Sequence, residues 1–198
     1  MRIIGITGPT GAGKSLLSQL FQRSNIPTID ADRVYHDMLL PPSECLDALR
    51  AAFGEQIFAA DGTLDRARLG EIVFSSEEKL ELLNKTVLSR VIARIKQMIF
   101  EYEKSGYRAV AVDAPTLIES GFDKECDTVI SVLSPKEQRT ERIMKRDSID
   151  AERAALRVNA QKDDSFYTES SHFVLHNDGE RDSFEKAAAE LLSSLDLI

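Results

Sequence analysis

The chain has 198 residues, 42% hydrophobic, with 25 basic against 33 acidic side chains and a formal net charge of −8. That length buries one sizeable core with appendages rather than two independent domains. The acidic balance speaks against a general nucleic-acid or anionic-membrane binder, and two cysteines, Cys45 and Cys126, are too few and too far apart for a disulfide framework or a zinc site.

The chain enters its first apolar run with no signal-peptide pattern, and no run approaches the ~18 residues of a membrane span, so the expected location is cytoplasmic. The thiols read as reduced and packed. His36, His172 and His176 do not cluster as metal ligands.

The first element, Arg2-Ile3-Ile4-Gly5-Ile6, reads as a short buried strand. It leads into GPTGAGKS at residues 8–15. The spacing Gly8-x4-Gly13-Lys14-Ser15 is that of a phosphate-binding P-loop, whose glycines let backbone N–H groups turn inward onto phosphate oxygens. Lys14 supplies an ammonium for the β and γ phosphates, and Ser15 supplies a hydroxyl for Mg²⁺. The helix beginning with Leu16 and Leu17 aims its positive end at the same anion. A Gly-rich turn with a surface lysine is the alternative, but the position between an apolar strand and a helical pattern favours the nucleotide site. Its candidate contacts are Gly8, Gly11, Ala12, Gly13, Lys14, Ser15 and Leu16.

Further apolar runs at 26–29, 109–112, 128–133 and 173–175 read as strands, separated mostly by helical patterns. This predicts an α/β fold, a doubly wound, parallel five-stranded sheet covered on both faces. The second strand ends in TIDADRVYHD, placing Asp30 and Asp32 at the carboxyl edge of the sheet, where ligands bind in such folds. Either carboxylate could orient or deprotonate an acceptor hydroxyl. Equally, Asp32 could cap the helix that begins near Arg33.

From about 36 to 104 the pattern is helical. Leu80, Leu83, Val87, Val91, Ile95 and Ile99 mark one long amphipathic helix in what reads as an insertion between strands two and three. The third strand ends in AVAVDAPTLIESG. Asp113 stands where an acidic residue helps hold Mg²⁺, and Glu119 is either a site residue or a surface turn residue. From about 136 to 170, charged helical segments with a polar break near Asp163-Asp164-Ser165 suit a mobile flap over phosphates or an ordinary solvated hairpin. Arg139, Arg142 and Arg146 share one face there, as a phosphate clamp or as a solvated stripe.

In order along the chain, GPTGAGKS, IDAD, DGTLDRARLGEIVF, LLN at 82–84, DAPTLIESG, ERIMKRD, Gln161 and VLHNDG resemble the dephospho-CoA kinase family over nearly the whole length. The resemblance implies a single P-loop kinase domain over 1–198. Its nucleotide-binding core would be 1–35, 105–135 and 171–198, with a helical substrate-binding insertion at 36–104 and a lid at 136–170. It also implies ATP-dependent phosphorylation of the ribose 3′-hydroxyl of dephospho-CoA, with ATP and dephospho-CoA as the partners. Asp32 would be the base, Arg142 a lid arginine meeting phosphate, and Asn177 and Gly179 would border the adenine. Asp30, Asp32, Arg66 and Glu119 are the expected substrate contacts, and Ser15 and Asp113 the expected Mg²⁺ contacts. In this chain Leu88-Ser89 replaces the His-Pro that typically follows the LN signature. Another small-molecule or nucleoside monophosphate kinase, or a non-catalytic nucleotide-dependent switch, are the competing functions. Oligomeric state is left open by the sequence.

Overall fold

The computed structural model describes residues 1–197, apart from the side chain of Phe74. The residues up to Ile29 and from Glu101 onward form one compact unit, and Asp30–Phe100 forms another.

Five strands make one sheet: β1 (Arg2–Thr7), β2 (Thr28–Asp30), β3 (Ala109–Asp113), β4 (Thr128–Leu133) and β5 (Phe173–His176). The spatial order is β2-β3-β1-β4-β5. β1 lies parallel to β3, with Ile3 opposite Val110, and to β4, with Ile6 opposite Ile130. β4 runs parallel to β5, with Val132 opposite Leu175. Val110, Ala111, Val112 and Val129 through Leu133 are buried without alternation, as strands covered on both faces must be.

One face is closed by α1 (Lys14–Arg23) and α9 (Arg181–Ser194). Leu17 and Phe21 of α1, with Phe184, Ala188 and Leu192 of α9, pack on Ile4, Ile6, Ile130 and Val132. Each large apolar side chain buried in this way contributes about 1.5–3 kcal/mol. Ser131 points to the opposite face, as strand alternation requires, and its hydroxyl donates to the Tyr167 carbonyl. Between β4 and β5 lie α6 (Lys136–Asp147), α7 (Ala151–Asn159) and α8 (Asp164–Glu169). The polar stretch at Asp163-Asp164-Ser165 straddles a boundary: Asp163 ends the interruption after α7, and α8 begins at Asp164. Asp and Ser favour helix entry as much as loop. The helical stretch is interrupted at 160–163 and also at 148–150.

The Asp30–Phe100 unit holds α2 (Ala31–Met38), α3 (Glu44–Phe53), α4 (Arg66–Phe74) and most of α5 (Glu77–Lys104). Ser43 caps α3 by accepting from Cys45 and Leu46, and Asp65 caps α4 by accepting from Ala67 and Arg68. Val87, Val91, Ile95 and Ile99 bury one stripe of α5, while Leu80 and Leu83 are half-buried. A proline at position 89 would remove a helical N–H; Ser89 leaves α5 continuous and turns its hydroxyl onto the Lys85 carbonyl.

The β2–α2 junction corrects one expectation. The helix cap is Asp30, not Asp32: Asp30 keeps the extended backbone of β2, and its Oδ1 accepts from the Arg33 N–H at 3.0 Å. Asp32 already lies inside the first turn, where its charge favours the helix dipole but its side chain is past the capping position.

Candidate active site

β1 delivers buried Thr7 into the loop 8–13, and α1 begins at once with Lys14. Gly13 precedes α1 with φ 108°, a conformation that strains any L side chain, and a Cβ there would stand 2.1 Å from the Asn177 side-chain nitrogen. No side chain caps α1 and no acidic residue occupies its first turn. Its leading N–H groups and positive end therefore face the loop, the arrangement that binds anions. The Lys14 ammonium lies 2.8 Å from the Gly8 carbonyl, so it already sits over the loop. Ser15 is exposed, and the half-buried Leu16 packs on the core.

The carbonyl side of the loop is tied to the rest of the unit. Asn177, 3% exposed, donates from Nδ2 to the Ala12 carbonyl at 2.8 Å. Arg142 reaches the Gly11 and Ala12 carbonyls at 3.2 and 3.3 Å. Arg139 Nε donates to the Thr10 carbonyl at 2.9 Å, while the Thr10 N–H donates to Gln161 Oε1 at 3.2 Å. In a trans peptide the C=O and the following N–H point in opposite directions. Holding the Ala12 carbonyl outward thus turns the Gly13 N–H inward.

The three arginines of α6 separate by role. Arg142 also donates to Ser134 Oγ, Gln138 Oε1 and the Asn177 carbonyl at 3.0–3.1 Å, so both terminal nitrogens are engaged. Arg139 is fully buried, and burial pulls its pKa below the ordinary guanidinium value. Arg146 is exposed and pairs with Asp147 through two nitrogens at 2.7 and 2.9 Å; Arg157 joins the same carboxylate. Hydrogen bonding to Arg146 holds the Asp147 carboxyl below the usual range.

At the end of β3 the Asp113 carboxylate accepts from the Ser18 hydroxyl at 2.8 Å, one turn into α1 from Ser15. Exposed Ser15 and the half-buried Asp113 are oxygen donors of the kind Mg²⁺ takes when substrate phosphates and water complete its shell. Glu119 is exposed in the turns after β3, close enough to Tyr167 to help burial raise that phenol's pKa. Asn177 is buried against the loop, and Gly179 is exposed beyond it.

In the Asp30–Phe100 unit, Asp30 and Asp32 flank the start of α2, and Arg66 is the exposed first residue of α4. Cys45 is buried and free, and burial raises its pKa. Cys126, in the other unit, is also free and is pushed up to about 12, first by burial and then by Asp123, Asp127 and Glu125. The Nδ1 of His172 accepts the Val129 N–H at 3.0 Å, extending the β4–β5 pairing by one residue. Sequence reasoning missed Ser18, although it lies one helical turn beyond Lys14. It also missed that Arg139 and Arg142 bind backbone carbonyls, which leave no mark in a sequence.

The pattern of the dephospho-CoA kinase family matches residues 2–183. A dephospho-CoA kinase of Arabidopsis thaliana is 38% identical, covering 96% of this chain and 84% of its own length. One from Listeria monocytogenes is 33% identical, covering 98% and 96%. The structure of dephospho-CoA kinase from Campylobacter jejuni superposes with TM-score 0.72 at 25% identity, over 98% of both chains. Shikimate kinase from Bacteroides thetaiotaomicron, at 15% identity and TM-score 0.52, shares the fold over 98% of both chains. With the P-loop intact within a match of this extent, the chain belongs to the dephospho-CoA kinase family.

Proposed function

We propose that this chain transfers the γ-phosphoryl group of ATP to the ribose 3′-hydroxyl of dephospho-CoA, giving coenzyme A and ADP in the last step of coenzyme A synthesis. The observation that carries the reading is the family match over residues 2–183 around a loop built to hold polyphosphate. Phosphoryl transfer asks a protein mainly for placement and charge stabilisation. The inward N–H groups and Lys14 bind the phosphates, and Asp32 takes the proton of the attacking hydroxyl. The capping position of α2 belongs to Asp30, and Asp32 lies in the first turn beyond it. Asp30, Arg66 and Glu119 are the remaining acceptor contacts, and Asn177 and Gly179 border the adenine. Mg²⁺ bound with ATP would neutralise charge on the β and γ oxygens, held by Ser15 and Asp113.

Residues 36–104 serve as the acceptor-binding insertion and 136–170 as the lid, with Arg142 linking the lid to the loop. The site of action is the cytoplasm; among the described residues no helix is long and apolar enough to cross a membrane. The test is ATP consumption with dephospho-CoA, with nucleoside monophosphates and with no acceptor. Turnover with dephospho-CoA alone is expected. Turnover only with a monophosphate would overturn the acceptor assignment, and binding without transfer would mark a switch.

A further inference from the structure

Arg139 is 1% exposed, the one charged side chain among the described residues that is buried. Its Nε holds the Thr10 carbonyl at 2.9 Å, and one terminal nitrogen, Nη2, is buried without a hydrogen-bond partner. Burying a guanidinium with a donor left over is costly, and an apolar side chain of similar length fills such a space at less cost. A role in stability alone is therefore poorly served by arginine. The α6 backbone presses on the loop at the same point: a Cβ on Gly11, whose φ is +78°, would lie 2.9 Å from the Arg139 carbonyl oxygen.

What the bond to Thr10 accomplishes follows from peptide geometry. The Thr10 carbonyl and the Gly11 N–H belong to one trans peptide and point in opposite directions. With the carbonyl drawn outward by Arg139, the Gly11 N–H is turned toward the phosphate side of the loop. Gln161 fixes the preceding peptide through the Thr10 N–H, so both planes flanking Thr10 are set from outside. Arg142 and Asn177 act on the two following carbonyls, which leaves the Thr10–Gly11 plane to Arg139.

We propose that Arg139 is a positioning residue for phosphoryl transfer: acting through the Thr10–Gly11 peptide, it aims the Gly11 N–H at the polyphosphate of ATP. The inference rests on the nucleotide site described under the proposed function and deepens it. The group touches no substrate itself. A misaimed donor in a charge-stabilising cradle forfeits part of the hundredfold or more that one such donor supplies.

The experiment is the Gly11 amide resonance of ¹⁵N-labelled protein titrated with MgADP, read beside kcat, KM for ATP and melting temperature. In Arg139→Met the donor is gone but length and packing remain. Melting should hold or rise, the Gly11 shift on MgADP should shrink several-fold, and kcat/KM for ATP should fall roughly tenfold to a hundredfold. Arg139→Lys, which restores one donor, should recover part of both. If Arg139→Met does not fold, Arg139→Leu, which also lacks a donor, gives the same readout. A folded variant with the parent's Gly11 shift and kinetics would overturn the proposal, as would lost activity with an unchanged Gly11 shift. The titration needs no acceptor, so a wrong acceptor leaves it intact. A parent Gly11 amide that ignores MgADP would overturn both this inference and the nucleotide site.

Discussion

The side-chain nitrogen of Asn177 lies 2.8 Å from the Ala12 carbonyl, joining the residue after β5 to a loop 165 positions earlier. The same nitrogen occupies the space a Cβ on Gly13 would need. Asn177→Ala removes one buried hydrogen bond and is expected to cost about 1 kcal/mol of stability, with weaker ATP binding. Gly13→Ala should do more, since it meets both a left-handed backbone and a steric block. Thermal melting with and without MgADP checks both. Parent-like nucleotide stabilisation in Gly13→Ala would mean that the loop does not need this conformation.

The division between Asp30 and Asp32 is testable by amide substitution. Asn caps a helix about as well as Asp, so Asp30→Asn should keep stability, whereas Asp30→Ala should lose about 1 kcal/mol. Asp32→Asn removes a proton acceptor and should lower phosphorylation of dephospho-CoA by about 10²–10⁴, with ATP binding intact. A large rate loss in Asp30→Asn with little in Asp32→Asn would assign the base to Asp30.

For Arg142→Ala the structure sets an expectation that α6 periodicity alone does not. Losing its bonds to Gly11, Ala12, Ser134 and Asn177 loosens the loop before any phosphate arrives. ATP affinity and turnover should fall together, and melting should drop by a few degrees. Turnover falling alone, at parental affinity and stability, would instead mark an arginine that acts only in the transition state.

Asp147 gives a pH dependence with a definite sign. Its carboxyl is held below the usual range by Arg146, so the stabilisation is present above the unfolded aspartate value, near 3.9. It is lost as pH falls through the lower folded value. The stability difference between the parent and Asp147→Asn should therefore be constant from pH 8 to about 5 and close only in more acid solution, which denaturant titrations at a series of pH values would read. A difference that closes near neutral pH would exclude the Asp147 pairing as its source.

The sheet was legible because parallel strands buried on both faces read as near-continuous apolar runs, as AVAV in β3 and VISVL in β4 largely do. The P-loop was legible because its glycine spacing answers one geometric demand. What stayed hidden depends on where the chain changes direction or on partners without side-chain identity. Which of two aspartates caps α2 turns on the last extended residue of β2, and both are chemically suited. The stripe Arg139-Arg142-Arg146 was placed on one helix face by spacing, yet its acceptors divide between main-chain carbonyls of the loop and the neighbouring Asp147. Around Asp163 the sequence marks a break but not that α8 opens at the next residue, because the residues that open helices also break them.

Burial pushes the Cys126 thiol up to about 12 and moves Cys45 in the same direction, so neither is primed as a thiolate nucleophile. Disulfide exchange requires a thiolate, and the acceptor proposed for this protein carries a thiol of its own. Cysteines held as thiols are slow to attack the disulfide form of that acceptor, so the protein incubated with that disulfide should gain little mass from mixed-disulfide formation at pH 7.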